Sequence, residues 1–413
     1  MRSPSLFCAL LSLVMLPVLG CGGEKLDKPA EPGASGTTAN VASEEESSPG
    51  FVPASAEEAE EFGRQLEKAF AENDQRQLGL LIDWDAMAAI ALEGLGDEKM
   101  RKQLHEGLVA STYGPNNLFN AMRAAGGPDM SYKLLRVKPG KKRQHVWFRM
   151  NSDAGVNYHD FEVVKQGERL KAIDVYFMMS GERLSQTWRR GLLPVINEHS
   201  KNWLQKMTSA ESEYVRAFPK IERMQQQINA GDAAGALQTY HSLPESVRLD
   251  KSLLLMRYRV ANDLMDDNEI IATAADVKKA YPGDACLDLL LVDSLYMRKE
   301  FEEALASVDR VEKVIGGDPH LDFLRGSLHL EAGNLDGARE SFERAIAGDP
   351  EAWEFYSGLV QVSLRTGDHQ LTYDTLRKLQ TFDLIELTLD DLPGYPEFMA
   401  SPQGQQWLAE TGE

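Results

Sequence analysis

Three cysteines and eight histidines are the side chains of this 413-residue chain best suited to nucleophilic, metal-binding or proton-transfer work, so their placement limits the chemistry open to it. Cys8, Cys21 and Cys286 are too few and too scattered for a multi-cysteine metal site. Polar groups that could line a pocket fall between residues 56 and 207: Asp83, Asp85, His105, His145, His159, Asp160 and Asp174. They show no metal-ligand spacing, no nucleophile motif and no glycine-rich phosphate loop, so no catalytic residue, metal or cofactor is assigned. His159 shares a strand face with Asn157 and Phe161, which either aims it into a concavity or leaves it half exposed in a sheet.

Cys21 stands apart because of what precedes it. Met1 and Arg2 make a basic start, Leu6 to Leu16 is apolar but too short to span a bilayer as a helix, and Val18-Leu19-Gly20 leads into the cysteine. That is the pattern of a secretory signal. Its ending resembles the lipobox of bacterial lipoproteins, in which signal peptidase cuts before a cysteine whose thiol receives diacylglycerol, although Leu19 is bulkier than the residue usual there. The resemblance implies a signal peptide over 1–20, lipidation at Cys21, and an exported, membrane-anchored lipoprotein of the bacterial cell envelope. Cys286 is then the one thiol left, so no intramolecular disulfide forms, and a core position is expected for it. Residues 21–55, mainly Gly, Ser, Ala, Pro, Thr and Glu, read as a disordered tether with a reach on the order of 30 Å. No later stretch is apolar for the length of a membrane span.

The elements that must hold the polar candidates lie in a domain expected over 56–182. Phe62, Leu66, Ala69 and Phe70 form a helical stripe, Trp84 to Leu92 a second, and Lys99 to Ala110 a third. Four alternating segments follow, Tyr132–Val137, Gln144–Met150, Val156–Val164 and Arg169–Met179, each closed by turn residues. Helices followed by an antiparallel meander predict an α+β fold with one sheet face covered, and Trp84 and Trp147 are expected in its core. The element order resembles the cystatin-like and nuclear-transport-factor-2-like (NTF2-like) cone folds. Such cones often enclose a pocket.

Connecting helices are expected over 183–216. From there a single register governs the chain: Gly231, Met265, Lys299, Gly333 and Gly367 recur every 34 residues, each followed five positions later by Ala236, Ile270, Ala304, Ala338 or Thr372. The unit is clearest around Gly326, Gly333, Ala338, Phe342, Ala345 and Pro350, which supply a small contact residue, a turn, an apolar helical stripe and a stop. This resembles the tetratricopeptide repeat (TPR) and implies an all-α solenoid over 217–384 with a cap over 385–413. Leu392-Pro393-Gly394 breaks the pattern before Phe398, Trp407 and Leu408 return apolar cover for the last repeat.

Such arrays bind along the exposed face of the first helix in each pair. The register places Arg259, Asn262, Asp293, Tyr296, Ser327, Glu331 and Gln361 there. They do not reproduce the lysine and asparagine clamp by which some chaperone-binding members hold a terminal carboxylate. Charge follows the domain division: 22 Lys and Arg face 21 Asp and Glu over 56–207, but 19 face 37 from Thr208 onward. So acidic an array repels nucleic acid and favours a basic protein partner, unless the charge serves only solubility. The expectation is a lipid-anchored scaffold that binds proteins through its repeats. The alternative from another class is a small-molecule sensor or enzyme with its site in the α+β domain.

Overall fold

The computed structural model describes residues 54–411, with breaks at 115–116, 128–129, 141, 153–154, 200–207 and 383–391. The expected signal peptide over 1–20, Cys21 and nearly all of the expected tether lie outside the described residues. By packing, the chain divides into two compact units, one ending at Leu264 and one beginning at Met265.

The first unit opens with helices that each start at a side chain able to accept from the free amides of a first turn. Ser55 and Glu58 form a reciprocal capping box on α1 (Ala56–Ala71). Asp74 caps α2 (Gln75–Leu81), Asp83 caps α3 (Trp84–Leu92), Asp97 caps α4 (Glu98–Ser111) and Asn117 caps α5 (Leu118–Gly126). The meander follows as β1 (Ser131–Pro139), β2 (Gln144–Ser152), β3 (Gly155–Gln166) and β4 (Arg169–Phe177), with a short β5 (Glu182–Arg183) at its edge. All neighbours pair antiparallel in chain order. The α+β architecture expected from the pattern is therefore present.

Alternation puts Val146, Phe148 and Met150 of β2 and Phe161 and Val163 of β3 on one sheet face, where the register sets Val146 opposite Phe161. Phe62, Leu66 and Phe70 of α1, Trp84 of α3, Phe119 of α5 and Trp188 of α6 (Leu184–His199) join them in one core. Each such side chain contributes roughly 1.5–3 kcal/mol by leaving water, which is what holds the helices on the sheet.

Helix α6 then ties the sheet to the first repeat helices, α7 (Ser209–Asn229), α8 (Ala233–His241), α9 (Glu245–Arg248) and α10 (Lys251–Asp263). Arg190 of α6 bridges Glu182 of β5 and, at 3.4 Å, Asp250, which caps α10. Lys251 Nζ donates to the Gly181 carbonyl at 3.2 Å, and Val215 of α7 enters the sheet-domain core.

The second unit continues the register as α11 (Asp267–Ala280), α12 (Ala285–Met297), α13 (Phe301–Ile315), α14 (Pro319–Glu331), α15 (Leu335–Gly348), α16 (Trp353–Thr366) and α17 (His369–Leu379), closed by α18 (Tyr395–Ala400) and α19 (Pro402–Thr411). Its core is spaced as the stripe requires: Ala304, Ala338 and Thr372 are fully buried, and Cys286 is a buried free thiol. Phe342 of α15 is held between two first helices. A Cβ on Gly326 would stand 2.6 Å from its ring and one on Gly358 2.5 Å, so both glycines exist to admit that ring.

The recurring turn residue is left-handed in every unit: φ is 76° at Gly231, 51° at Met265, 59° at Lys299, 78° at Gly333 and 68° at Gly367. A residue with a Cβ is strained there by roughly 1–2 kcal/mol, which outweighs the extra freedom of about 0.5–1 kcal/mol that glycine has in the unfolded chain. Lys299→Gly is therefore expected to raise the urea midpoint by the equivalent of about 0.5–1 kcal/mol, and Gly333→Ala to lower it by at least as much. Equal midpoints for wild type and Lys299→Gly would contradict the strained turn.

Candidate protein-binding face

The polar groups of the α+β domain do not converge. Asp83 is a helix cap, its Oδ1 accepting from the Ala86 amide at 3.0 Å. Asp85 and His105 meet at the rim of an open groove of about 490 Å³ over α3 and α4, with His105 Nε2 3.6 Å from Asp85 Oδ1. His145 and Asp160 pair at 2.8 Å on the sheet face away from the core, and that hydrogen bond raises the imidazole above its ordinary range. On the same face Asp174 accepts from the Val175 amide at 2.9 Å and from the Ser185 amide at 3.2 Å.

His159 lies on the core face and is buried, not half exposed. Asn157 Oδ1 accepts from the Tyr158 and Met179 amides at 2.8 and 3.0 Å, so its Nδ2 must donate to His159 Nε2 at 2.9 Å. The ring proton is thereby placed on Nδ1, 3.0 Å from the Tyr132 hydroxyl. Burial pushes His159 down to about 3, so it stays neutral. Tyr132 stacks on Phe148 at 5.0 Å and packs on Phe70 at 4.5 Å. Among the described residues no group of three or more His, Cys, Asp or Glu is placed to hold a metal.

In the second unit the first helices α12, α14 and α16 carry equivalent positions 34 residues apart. Asp293, Ser327 and Gln361 form one column, and Met297, Glu331 and Arg365 another. Arg365 approaches Glu331 at 3.9 Å and donates to the Leu330 carbonyl at 3.1 Å. Tyr296 lies within the field of both: burial first, then Glu331, raise its hydroxyl, while Arg365 opposes them. Its ring meets Phe301 edge-on at 6.2 Å and remains 41 % exposed, beside Met297 at 46 %. Ser327 turns back to its own helix, donating to the Phe323 carbonyl at 3.1 Å, and Gln361 is half-buried on α16.

Asp293 differs from all of these. It is half-buried on α12 and makes no hydrogen bond or ion pair among the described residues, and burial pushes its carboxyl up to about 7. Arg259 and Asn262 belong to α10 of the first unit, where Arg259 lies 4.0 Å from Asp263 and Asn262 donates to the Tyr258 carbonyl at 2.8 Å. Met297 and Arg365 escaped the sequence reading. The same 34-residue register that passes through Glu331 reaches both.

A family model described as tetratricopeptide repeat matches residues 323–371, the segment that contains Phe342 and its two glycines. These residues belong to a tetratricopeptide repeat domain. Solved structures with a similar course include MamA 41-end from Desulfovibrio magneticus RS-1 and the MamA RS-1 ArsTM double mutant, each 20 % identical over 40 % of this chain and 94 % of its own, with TM-scores of 0.37 and 0.36. No curated protein matches the chain.

Around the tetratricopeptide match, the arginines are largely engaged by the domain's own carboxylates. Arg310 meets Asp288 at 2.8 Å, Arg325 meets Asp309 at 2.8 Å and Asp322 at 3.2 Å, and Arg344 meets Glu340 at 2.8 Å. Among the described residues Asp293 has no such cation.

An acid whose folded value is raised binds its proton more tightly when folded, so ionising Asp293 costs stability as pH rises from about 4 towards about 7. Asp293→Asn removes that cost. Its gain over wild type should be near zero at pH 4, grow through this window and level off above pH 7. On the order of 1–3 kcal/mol is expected after allowing for partial solvent access. Urea melts of both proteins across the range check this, and a pH-independent difference would place Asp293 in an ordinary solvated setting.

Proposed function

We propose that this protein is an exported scaffold, lipid-anchored through Cys21, whose tetratricopeptide domain docks a basic protein on the face formed by α12, α14 and α16. The observation that carries this reading is Asp293, a carboxylate drawn into the domain with no cation of its own among the described residues, one turn from the exposed Tyr296 and Met297. Keeping a charge half out of water with no partner costs the free protein stability, and an incoming cation offsets that cost. The acidic balance of 19 against 37 from Thr208 onward adds long-range attraction for the same class of partner. Steering by surface charge acts on encounter rate, whereas a desolvated pair acts on residence time. The α+β domain then serves as a second recognition module, its interior occupied by Tyr132, Phe148 and Phe70.

Among the described residues no helix is long and apolar enough to cross a membrane, so attachment in this reading rests on acyl chains at Cys21. More than one chain is needed for a stable anchor, at about 0.8 kcal/mol per buried CH₂. Wild type should therefore fractionate with membranes and incorporate labelled fatty acid, and Cys21→Ser should appear unlabelled in the soluble fraction. Unlabelled wild type in the soluble fraction would end the anchoring proposal. Partner capture from solubilised envelope, with wild type beside Asp293→Lys with Glu331→Lys, tests the docking face. A captured protein should be released by salt and lost on charge reversal. Capture indifferent to both would leave the acidic face a solubility device and move the search to the α+β domain.

A further inference from the structure

Asp288 and Asp293 lie on the same helix and are treated oppositely by the fold. Asp288 is buried against Arg310 at 2.8 Å and is a structural ion pair. Asp293 retains some exposure and has neither a hydrogen bond nor an ion pair among the described residues. Its 34-residue equivalents within the second unit, Ser327 and Gln361, are neutral, the equivalent in the first unit, Arg259, faces Asp263 at 4.0 Å, and the nearby Glu331 is already matched by Arg365. The uncompensated charge of this face is thus concentrated at one position. One turn along α12, Tyr296 and Met297 present an aromatic ring and a thioether to solvent, an apolar surface that adapts to varied side chains.

Resting on the scaffold reading above, we propose that Asp293 is a subsite for a basic side chain: it takes the ammonium or guanidinium of a bound protein segment, while that side chain's methylenes and a neighbouring apolar residue lie on Tyr296 and Met297. Charge complementarity selects a cation. The ring supports a lysine stem beneath its charged head and adds a cation–π contribution. Arginine fits the same place, since its guanidinium fork can meet both carboxylate oxygens and stack on the ring, and lysine is the probe of choice because its charge can be removed by acetylation. Acetylating the lysine removes the charge and should abolish the preference.

The full chain is titrated by fluorescence anisotropy against an array of labelled decapeptides. Each has a central lysine flanked by varied residues and is paired with its acetyl-lysine and arginine counterparts. Wild type should bind members of the array with at least tenfold preference for lysine over acetyl-lysine, and the arginine counterparts should bind as the charged forms do. Asp293→Asn should erase that preference while its melting profile stays cooperative, whereas Glu331→Gln should keep it. Equal binding of lysine and acetyl-lysine forms by wild type, or a preference that survives Asp293→Asn, overturns the subsite but leaves the scaffold reading standing. If wild type binds no member, the subsite is overturned, and salt-sensitive capture from the envelope then decides the scaffold reading independently.

Discussion

The tight turn joining the two helices of each repeat is the constraint on which the array depends. One residue enters the left-handed region, at 231, 265, 299, 333 and 367, and the next residue begins the second helix. At four of the five turns that next residue, Asp232, Asp266, Asn334 or Asp368, accepts from an amide of the new helix through its side chain. Reversal within so few residues leaves the helices no room to diverge, so the residue five positions after the turn must be small or fit a prepared space. Ala236, Ala304 and Ala338 are accordingly fully buried at that position. Met265 and Lys299 accept left-handed strain where glycine would be comfortable, which shows that geometry, not residue identity, is what each repeat preserves.

Contact between successive repeats follows from this geometry. Once the turn holds α14 and α15 together, Phe342 projects to where the next first helix arrives, and glycines at 326 and 358 make room on both sides. The last repeat has no successor, so its apolar face needs another cover. Phe398 and Trp407 join Tyr356, Val360, Leu364, Leu376 and Leu379 in a single cluster. Gly394 approaches the end of α16 so closely that a Cβ would stand 2.3 Å from the Leu364 carbonyl oxygen. Arg377 and Tyr373 fasten the final helix by reaching Glu410 at 2.5 and 2.9 Å.

The array was legible because its constraints act at fixed spacing: a turn, a small residue, an aromatic and a stop repeat at one interval, and each leaves a residue type behind. The α+β domain was legible only in outline. Its strands alternate visibly, but α2, at seven residues, is too short to show a period, and β5 has two residues. Candidate polar residues in that domain could be named but not sorted. Asp83 caps the helix that starts beside it, but whether an aspartate pairs across strands, as Asp160 does with His145, is decided by strand register. The groove face was likewise half legible. Periodicity located Tyr296 and Glu331, yet it could not show that Arg365 neutralises Glu331 and that nothing among the described residues does so for Asp293.

That difference bears on where recognition should reside. A folded protein rarely draws a charge out of water without pairing it, because the desolvation lost is not recovered. In the α+β domain the drawn-in carboxylates are served: Glu162 by Arg143 and Arg183, Asp160 by His145, and Asp174 by Ser185. His159, buried on the core face, is neutral, with both ring nitrogens engaged. Each of those groups has found at least one partner within the fold, although Asp160 Oδ1 accepts no hydrogen bond among the described residues. Asp293 has not, and the exposed apolar atoms of Tyr296 and Met297 beside it are the other kind of surface that gains on being covered. A surface offering both an unmet charge and uncovered apolar area gains twice from one occupant, a basic side chain with an aliphatic stem. This places the proposed binding chemistry on the array and not in the α+β core.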